Sequence, residues 1–444
     1  MIQLRGGRKM KINMRIDSLM LFIILFVAIL PITNIGSFAM PPLYLLLPIV
    51  VFLLVLFILQ LKKLPPILLN ISLIFLIIFS EVLLSNINGT IKKSNDFIFP
   101  SDVIQYVARF IYIMFFAIAT YKGKIKTDVF IKYFLFFLNI GMLIGILQWI
   151  PWEGRELFIK LYPFRDGVEQ LSQLNRPIHL IRVHGMAQHA TANGGLASFF
   201  FIFGYSVYKY YNKHKFLSVL LIVLSLTNIF ASQARAGLLA LGFSIFLFYI
   251  IDMHFNKRSY KSTLYFLVGT AMLLAVIIIL YQKENPFISR MIYRWEALFE
   301  TKGGGRIEQV KYFMSMFTNP MDYILGLSKN SINNSDISYG VEIELVNIFF
   351  TYGAVGVILQ YLLIFVLLFY FYKKIKQNDI NKECLTLLIS SFVGLLSYQV
   401  FSVAYFFYKE IRVGHFPWIL MGVAIGFYEK CKKDKIKNEN STYI

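Results

Sequence analysis

The sequence predicts an all-α protein that crosses a membrane many times, and three observations support this fold class. Hydrophobic residues make up 57% of the 444 residues and charged residues only 15%, whereas soluble domains are near half apolar and about a quarter charged. The apolar residues fall in runs of about twenty, the length that crosses roughly 30 Å of hydrocarbon as a helix. Short clusters of lysine and arginine separate these runs. We therefore expect one integral membrane domain over residues 1–444.

About twelve apolar spans follow one another along the chain, and each is close to the length of a membrane-crossing helix. The first follows a basic N-terminal segment, as in a signal peptide, but a second span comes at once, so an uncleaved helix is expected. The division between the seventh and eighth spans rests on the short segment around Ser232 to Arg235. The predicted spans cover residues 18–34, 43–60, 65–84, 102–121, 129–150, 187–208, 216–232, 235–251, 262–282, 344–372, 384–407 and 415–429.

Positive charge predicts the orientation of these spans. Short cytoplasmic loops of membrane proteins carry an excess of lysine and arginine, and here every second connection is short and basic. This alternation places both termini in the cytoplasm, residues 430–444 in a basic cytoplasmic tail, and two long extracytoplasmic loops at 151–186 and 283–343. Long structured loops frequently carry function. The basic connections contain Lys62 and Lys63, Lys122, Lys124 and Lys126, Lys209, Lys213 and Lys215, Lys257, Arg258 and Lys261, and Lys373, Lys374, Lys376 and Lys382.

The sequence also argues against several classes of function. The net charge of +20 lies mainly in the clusters that set orientation, so nucleic-acid binding is not expected. Cys384 and Cys431 form no C-x-x-C pair and no metal spacing. The chain has no phosphate-binding G-x-x-x-x-G-K-[ST] motif and no H-E-x-x-H zinc motif, and His184 and His189 are poorly spaced for zinc. We expect neither a metal nor a nucleotide or redox cofactor.

Two polar segments on the predicted outer face are candidate binding sites. The first runs from Arg182 through His184, His189 and Asn193 into the sixth span, and is too polar for a helix that faces lipid. Its alternative interpretation is an ordinary loop-to-helix junction with capping and small-residue packing. The second segment holds Arg235 between two apolar spans. An arginine there is costly unless it binds an anion, forms an ion pair or extends its side chain to the membrane surface.

Two further segments lie in or just after the second long loop. Gly303, Gly304 and Gly305 precede Arg306 at the start of a helical pattern. Exposed backbone N–H groups and a fixed cation suit an anion there, and a solvated loop arginine is the alternative. Glu342 and Glu344 stand immediately before the tenth span. Carboxylates in a first helical turn are also stabilised by the helix dipole without any catalytic role.

Together these segments place several guanidinium groups and one or two carboxylates at one membrane face. Arginine binds phosphate oxygens through paired N–H groups, and a carboxylate nearby is suited to act as a general base. The simplest matching chemistry is transfer of a glycan from a lipid-linked pyrophosphate. Arg182, Arg235 and Arg306 would stabilise the leaving pyrophosphate, and Glu342 or Glu344 would deprotonate the acceptor hydroxyl. Such a direct displacement inverts the anomeric centre.

The same motifs resemble those of the O-antigen ligase/polymerase superfamily of bacterial envelope proteins, which includes the Wzy-type polysaccharide repeat-unit polymerases. The resemblance covers roughly residues 180–360. One departure is Ala234, which stands where the family usually has serine before an arginine; another is Glu342, which stands where many ligases have histidine. The matching elements are Arg182 to Gly185 with Asn193, Gln233 to Gly237, Gly305-Arg306, Leu325-Gly326, and Glu342 eleven residues before Gly353.

The resemblance implies a GT-C-like helical glycosyltransferase fold and an active site on the outer face of the bacterial cytoplasmic membrane. It implies an undecaprenyl-pyrophosphate-linked glycan as donor, with Arg182, Arg235 and Arg306 at the pyrophosphate and His184, His189 and Asn193 near the substrate. The product would be O-antigen, capsular or exopolysaccharide, and the partners would be the lipid bilayer, a flippase and a chain-length regulator.

Glutamate at position 342 favours a polymerase over a ligase. An O-antigen ligase that transfers glycan to a lipid or protein acceptor stays open as an alternative, as does a non-enzymatic flippase or transporter of lipid-linked glycan. Transporters carry ionisable groups near the middle of the membrane. Here only Arg109 and Lys132 fall clearly inside the predicted spans, and both are close enough to a span end to reach it.

Overall fold

A computed structural model describes most of the chain. The described residues are 16–35, 38–93, 101–163, 176–256, 268, 272, 275–301, 305–337, 341–377, 380–406, 408, 410 and 412–441. Within them the structure is helical apart from one antiparallel ribbon between β1 (Thr33–Ile35) and β2 (Phe38–Met40). The predicted all-α architecture is therefore confirmed, with this small ribbon in the connection after the first helix.

The helices follow the apolar runs of the sequence. The first ends at Ala28, just before Pro31, rather than at residue 34, because proline lacks the N–H that continues a helix. The helices are α1 (Ile16–Ala28), α2 (Pro42–Leu45), α3 (Leu47–Leu59), α4 (Pro66–Lys93), α5 (Ser101–Tyr121), α6 (Thr127–Trp149), α7 (Arg155–Leu161), α8 (Ala190–Ser206), α9 (Lys215–Ser232), α10 (Arg235–Asn256), α11 (Pro286–Glu300), α12 (Arg306–Ser315), α13 (Pro320–Leu325), α14 (Lys329–Asn333), α15 (Glu344–Ile375), α16 (Lys382–Phe401) and α17 (His415–Ser441). Ile178–Leu180 form a 3₁₀ turn, and Val207–Tyr211 continue α8 as a π-helical turn.

Seven of the described helices are long and apolar enough to cross a membrane. Two shorter apolar helices, Ser18–Ala28 and Leu47–Leu59, lie at the first two predicted spans. About half of the ninth predicted span, 262–282, falls outside the described residues. α8 and α17, at the sixth and twelfth predicted spans, are not among the seven, so the count of twelve stays a prediction. The last helix continues to Ser441, so the predicted basic tail begins as a direct extension of α17. The seven long apolar stretches are Pro66–Ile91, Asp102–Tyr121, Thr127–Trp149, Lys215–Ser232, Arg235–His254, Glu344–Ile375 and Lys382–Phe401.

The core lies where α5, α16 and α17 pack together. α5 and α16 are buried over 78% and 72% of their apolar stretches, whereas α15 is buried over only 33%. α17 can approach α5 closely because Gly426 has no side chain. A Cβ at this position would lie only 2.1 Å from the carbonyl oxygen of Ala117. The exposed face of α15 carries Phe365 and Phe369. A helix with such an apolar outer face suits contact with lipid.

A break in α15 at Gly353 lets two segments pack backbone against backbone. Gly353 has φ 65°, and a Cβ there would lie 2.1 Å from the carbonyl oxygen of Ile324 at the end of α13. The carbonyls that the break releases are satisfied across this contact: Leu327 N–H donates to Phe350 at 2.8 Å and Ser328 N–H donates to Thr351 at 3.0 Å. The Leu-Gly and Gly-x-x-Gly elements therefore build the scaffold under the second long loop.

Both predicted long loops contain folded segments. The first holds α7 and the 3₁₀ turn, and residues 164–175 lie outside the described part. The second holds α11, α12, α13 and α14, with α12 beginning at Arg306, where the sequence predicts a helix start. The two loops contact each other because Phe287 of α11 packs against Trp149 and His179, with ring centroids 5.9 and 6.1 Å apart. These contacts hold α11 beside the end of α6.

Candidate functional site

Three arginines from separate segments converge around the short connection between α9 and α10. Arg235 is the first residue of α10, and its Nη1 donates a hydrogen bond to the carbonyl oxygen of Arg294 in α11. Arg294 Nη1 donates to the carbonyl oxygen of Gln233 at 3.0 Å. Arg182 Nε donates to the carbonyl oxygen of Ser232 at 3.4 Å. The backbone of residues 232–235 therefore anchors guanidinium groups from both long loops.

Arg306 joins this group together with Glu342. Its Nη2 lies 2.6 Å from Glu342 Oε2, and the two side chains are 18% and 35% exposed. The charges of Arg306 and Glu342 both act on Arg235. A charge-assisted hydrogen bond of this length fixes the orientation of a guanidinium. The structure thus brings Arg182, Arg235, Arg306 and Glu342 into one cluster. We name this set, with Arg290 and Arg294, the arginine cluster.

Burial and the repulsion between like charges both destabilise the protonated guanidinium of Arg294 in the arginine cluster. Burial, followed by the positive charges of Arg182, Arg235 and Arg290, lowers the pKa of Arg294 from its usual value to about 9. Its guanidinium therefore stays protonated at neutral pH but is poorly stabilised. Arg290 also stacks its guanidinium 5.4 Å from the ring centre of Tyr293. An anion bound among these groups would relieve the repulsion, which is the property expected of a phosphate site.

His189 lies at the edge of the cluster and caps α8. Its Nδ1 accepts a hydrogen bond from the Thr191 N–H at 3.2 Å, and Arg182 Nη2 donates to Thr191 Oγ1 at 3.3 Å. The imidazole stacks on Tyr405, with ring centroids 5.6 Å apart. Ala404, next to Tyr405, also contacts the cluster, because its carbonyl oxygen accepts a hydrogen bond from Arg306 at 3.4 Å. The connection between α16 and α17 therefore runs along the cluster.

His184 and Asn193 are buried in the fold beneath the cluster. A ring nitrogen of His184 lies 2.5 Å from the carbonyl oxygen of Tyr162, and burial lowers the pKa of His184 to about 4, so it is neutral near pH 7. Asn193 is fully buried and donates to Val183 and to Asn228 Oδ1, both at 3.2 Å. These contacts favour a structural role for both residues, as the alternative interpretation of the segment expects.

Glu344 faces a different region from Glu342. Its side chain is buried and lines a cavity among the helices, and its backbone N–H donates to the carbonyl oxygen of Ser402 at 2.9 Å. The cavity lies between α4, α5, α15, α16 and α17, and besides Glu344 its polar or aromatic lining residues are Phe75, Tyr106, Arg109, Gln360, Tyr398, Tyr408 and Trp418. Of the two predicted carboxylates, Glu342 is therefore the one in contact with the arginine cluster.

Sequence reasoning missed Arg290, Arg294 and Glu410. The two arginines are four residues apart, so they lie on the same face of α11. That spacing was the available signal, but the sequence around α11 does not predict that this face packs against Gln233. Glu410 is buried, and its Oε1 accepts a hydrogen bond from the Gln188 N–H next to His189. Its position depends on the course of the α16–α17 connection, for which the sequence carries no pattern.

The expectation that only Arg109 and Lys132 are ionisable groups within spans needs correction. Glu81 lies well inside α4, which continues to Lys93 rather than ending at residue 84, and is 4% exposed. Arg109 is also buried rather than extended to a helix end, and lies 5.0 Å from the ring centre of Tyr106. Lys132 alone is exposed as expected. Helix packing therefore places more charge inside the bundle than span positions indicate.

Comparison of the sequence with models of known protein families gives no match, and comparison with curated proteins gives none either. Within the described part of the chain, no three His, Cys, Asp or Glu side chains are grouped to hold a metal ion. The functional interpretation therefore depends on the geometry of the arginine cluster and on the resemblance of its motifs.

Proposed function

We propose that the chain is a membrane glycosyltransferase of the O-antigen ligase/polymerase superfamily. It polymerises undecaprenyl-pyrophosphate-linked repeat units into O-antigen, capsular or exopolysaccharide on the outer face of the bacterial cytoplasmic membrane. One observation carries this proposal: Arg182, Arg235 and Arg306 converge beside Glu342 although they come from different segments. The donor brings its own leaving group, so the proposed transfer uses no cofactor.

The arginines account for the leaving-group side of the reaction. When the bond between the anomeric carbon and the pyrophosphate oxygen breaks, negative charge grows on the pyrophosphate. Fixed donors aimed at developing charge lower the barrier most when they are partly shielded from water. Arg235 and Arg306 meet this condition, because both are incompletely exposed and held by backbone carbonyls. Their paired N–H groups match phosphate oxygens.

Glu342 accounts for the acceptor side. As the acceptor oxygen bonds to the anomeric carbon, the hydroxyl proton passes to the carboxylate and the pyrophosphate leaves with the bonding electron pair. Arg306 engages Oε2 of Glu342, and a carboxylate has a second oxygen that can accept from the hydroxyl. The side chain is 35% exposed, so the proton can pass on to water afterwards. A single displacement of this kind inverts the anomeric centre.

The proposal includes the twelve-span topology with both termini in the cytoplasm. In that arrangement the ends of α6, α9 and α16 and the starts of α8, α10, α15 and α17 lie at the outer surface. The segments that carry the arginine cluster are attached to these same ends. A reporter fused after Asn330 should read as extracytoplasmic, and a cytoplasmic signal there would overturn this topology.

The decisive test is the glycan made by a strain in which the gene is deleted and then supplied as variants. A polymerase defect leaves single capped repeats in place of a ladder, whereas free lipid-linked polymer indicates a ligase. Arg306→Ala should abolish the ladder at normal protein level, a loss of about 10²–10³ in rate for removal of one charge-stabilising donor. Lys160→Ala is the matched control, since Lys160 forms an ion pair of the same 2.6 Å length with Glu156 but is 62% exposed. An intact ladder with Arg306→Ala contradicts the proposal.

One observation favours the transporter as second candidate. Glu81, Arg109 and Glu344 are buried among the helices, where charged groups of transporters are found. Purified protein in liposomes separates the two functions, because a transporter moves labelled lipid-linked repeat across the bilayer without lengthening it. Lengthening of the repeat by the purified chain, in contrast, requires a transferase.

A further inference from the structure

The two cysteines of the sequence lie on different helices and contact each other. Cys384 is in the first turn of α16, and its thiol donates a hydrogen bond to the sulfur of Cys431 in α17. Cys384 is 1% exposed and belongs to the core, whereas Cys431 is half-buried and packs against that core. Both are free thiols. Within these 444 residues, each thiol therefore has the other as its one partner for a disulfide.

Neighbouring contacts hold both sulfur-bearing segments in place. Asn381 Oδ1 accepts a hydrogen bond from the Cys384 N–H at 2.7 Å and so caps α16. On the other side, Glu429 stands two residues before Cys431, and its Oε1 accepts from the Tyr370 hydroxyl at 2.9 Å. A disulfide forms without backbone movement only where the two sulfurs already approach each other. Helices α16 and α17 pack side by side and meet this condition.

Cys431 has the surroundings of a reactive cysteine. It lies beyond the twelfth predicted span, in the basic tail. The hydrogen bond from Cys384 lowers the pKa of the Cys431 thiol, and Lys430 acts in the same direction, whereas burial, Asp434 and Glu383 act against them. The thiolate is the form of cysteine that reacts with oxidants. Cysteines that sense oxidants combine a lowered pKa, access to solvent and a neighbouring thiol that completes a disulfide. Cys431 meets the first two conditions, and Cys384 supplies the third.

We propose that Cys431 and Cys384 form a peroxide-sensitive thiol pair, which closes a reversible disulfide between α16 and α17. The Cys431 thiolate attacks one oxygen of hydrogen peroxide, the O–O bond breaks, and the sulfur becomes a sulfenic acid. The hydroxide that leaves takes up a proton and becomes water. The sulfur of Cys384 then attacks the sulfur of Cys431, so that the S–S bond forms, the S–O bond breaks and the thiol proton leaves in a second water. Two thiols are oxidised, and one peroxide is reduced to two waters.

The pair goes beyond the proposed transferase function and does not depend on it. In the proposed topology it lies at the cytoplasmic ends of α16 and α17. Disulfides are rare in the cytoplasm, and those that form there are mostly transient and act in catalysis or redox sensing. The opposite ends of the same two helices are joined by the connection whose Ala404 contacts Arg306. A disulfide fixes one end of this helix pair, and exchange with a cellular dithiol releases it.

The test uses purified full-length protein in lipid nanodiscs. The protein is treated with hydrogen peroxide, then unfolded and exposed to a maleimide that labels free thiols. The reduced protein should take up two labels and the oxidised protein none, and dithiothreitol should restore both. Peptide mass spectrometry should find Cys384 joined to Cys431 within a single chain. Two labels retained after peroxide treatment, or a disulfide that forms only between chains, overturns the proposal.

Two matched substitutions assign the roles of the thiols. Cys384→Ala leaves the attacking thiol without its partner, so oxidation should stop at a sulfenic acid on Cys431, which dimedone traps. The unaltered protein should trap little dimedone, because the disulfide forms instead. Cys431→Ala leaves the buried thiol of Cys384, which should react with peroxide far more slowly. Equal rates of thiol oxidation in the two variants would contradict the assignment of Cys431 as the attacking thiol.

Discussion

The arginine cluster and the buried polar groups beneath it come from the same sequence segments but have opposite surroundings. Glu342 and Glu344 are two residues apart, yet Glu342 contacts Arg306 at the partly exposed cluster while Glu344 lies in an apolar cavity. Arg182 and His184 have different surroundings for the same reason. Arg182 belongs to the cluster, whereas His184 is buried against the carbonyl oxygen of Tyr162. Polar sequence alone therefore does not mark a site.

The difference teaches what a site requires in this fold. Groups of the cluster come from several segments, carry charges that act on one another and keep some access to water. The buried groups meet mainly backbone carbonyls and neutral side chains of the fold. Substitution of a cluster residue should therefore change catalysis with little effect on stability. Substitution of a buried residue should do the reverse.

The largest expected effect is on catalysis by Glu342. Glu342→Gln removes the proton acceptor but keeps the shape of the side chain, so the initial rate of lengthening should fall about 10²- to 10⁴-fold. The unfolding temperature should change little, because partly exposed ion pairs contribute at most about 1 kcal/mol. Rates measured with purified protein and lipid-linked repeat, together with thermal unfolding in detergent, check both parts.

The control for Glu342 is Glu156. It forms an ion pair of the same 2.6 Å length with Lys160, but its side chain is 54% exposed and lies on α7. Glu156→Gln should leave the rate within about twofold of the unaltered protein, since an isolated surface pair contributes little. A full rate with Glu342→Gln would remove general-base catalysis from this residue.

The membrane-crossing helices were predictable because hydrocarbon thickness dictates the length of an apolar run. The prediction of residues 102–121 corresponds to Ser101–Tyr121, and that of 129–150 to Thr127–Trp149. The break at Gly353 was not predictable. Its apolar run continues without interruption, and the segment that packs into the break, Leu325-Gly326, lies at the end of a separate short helix.

The candidate site was predictable in part for a related reason. Arg235 stands between two apolar runs, Arg182 begins the polar segment before another, and Arg306 follows three glycines, so each charge is conspicuous in the sequence. Arg294 lies within an amphipathic helix among other charged residues, so its role depends on α11 packing beside Gln233. The choice between Glu342 and Glu344 depends on the side-chain direction at the start of α15, which changes with each residue of a helix.

A smaller effect is expected from acidification, and it concerns the buried region. The pKa of His184 is lowered by burial to about 4, whereas an unfolded histidine has a pKa of about 6.5. The unfolded state therefore gains a proton first as pH falls, and stability is lost between about pH 6.5 and 4, by up to about 3 kcal/mol. His184→Gln should flatten this part of the curve of unfolding temperature against pH. His254→Gln, which changes an exposed side chain, should leave it as steep, and an equally steep curve for His184→Gln would contradict the assignment.

The smallest effect, and the sharpest test of the division between the two carboxylates, is expected at Glu344. Glu344→Gln keeps the shape of a buried side chain but removes a charge from the hydrogen bond with Tyr398. The loss should lower stability by about 1–3 kcal/mol, as for other buried polar groups that lose part of their bonding. The folded fraction should still lengthen the lipid-linked repeat within a few-fold of the normal rate, because the carboxylate faces the cavity rather than the arginine cluster. Thermal unfolding and initial rates measured on the same preparation separate these effects. If Glu344→Gln abolished lengthening at an unchanged unfolding temperature, Glu344 would be the base, and Glu342 would serve only to position Arg306.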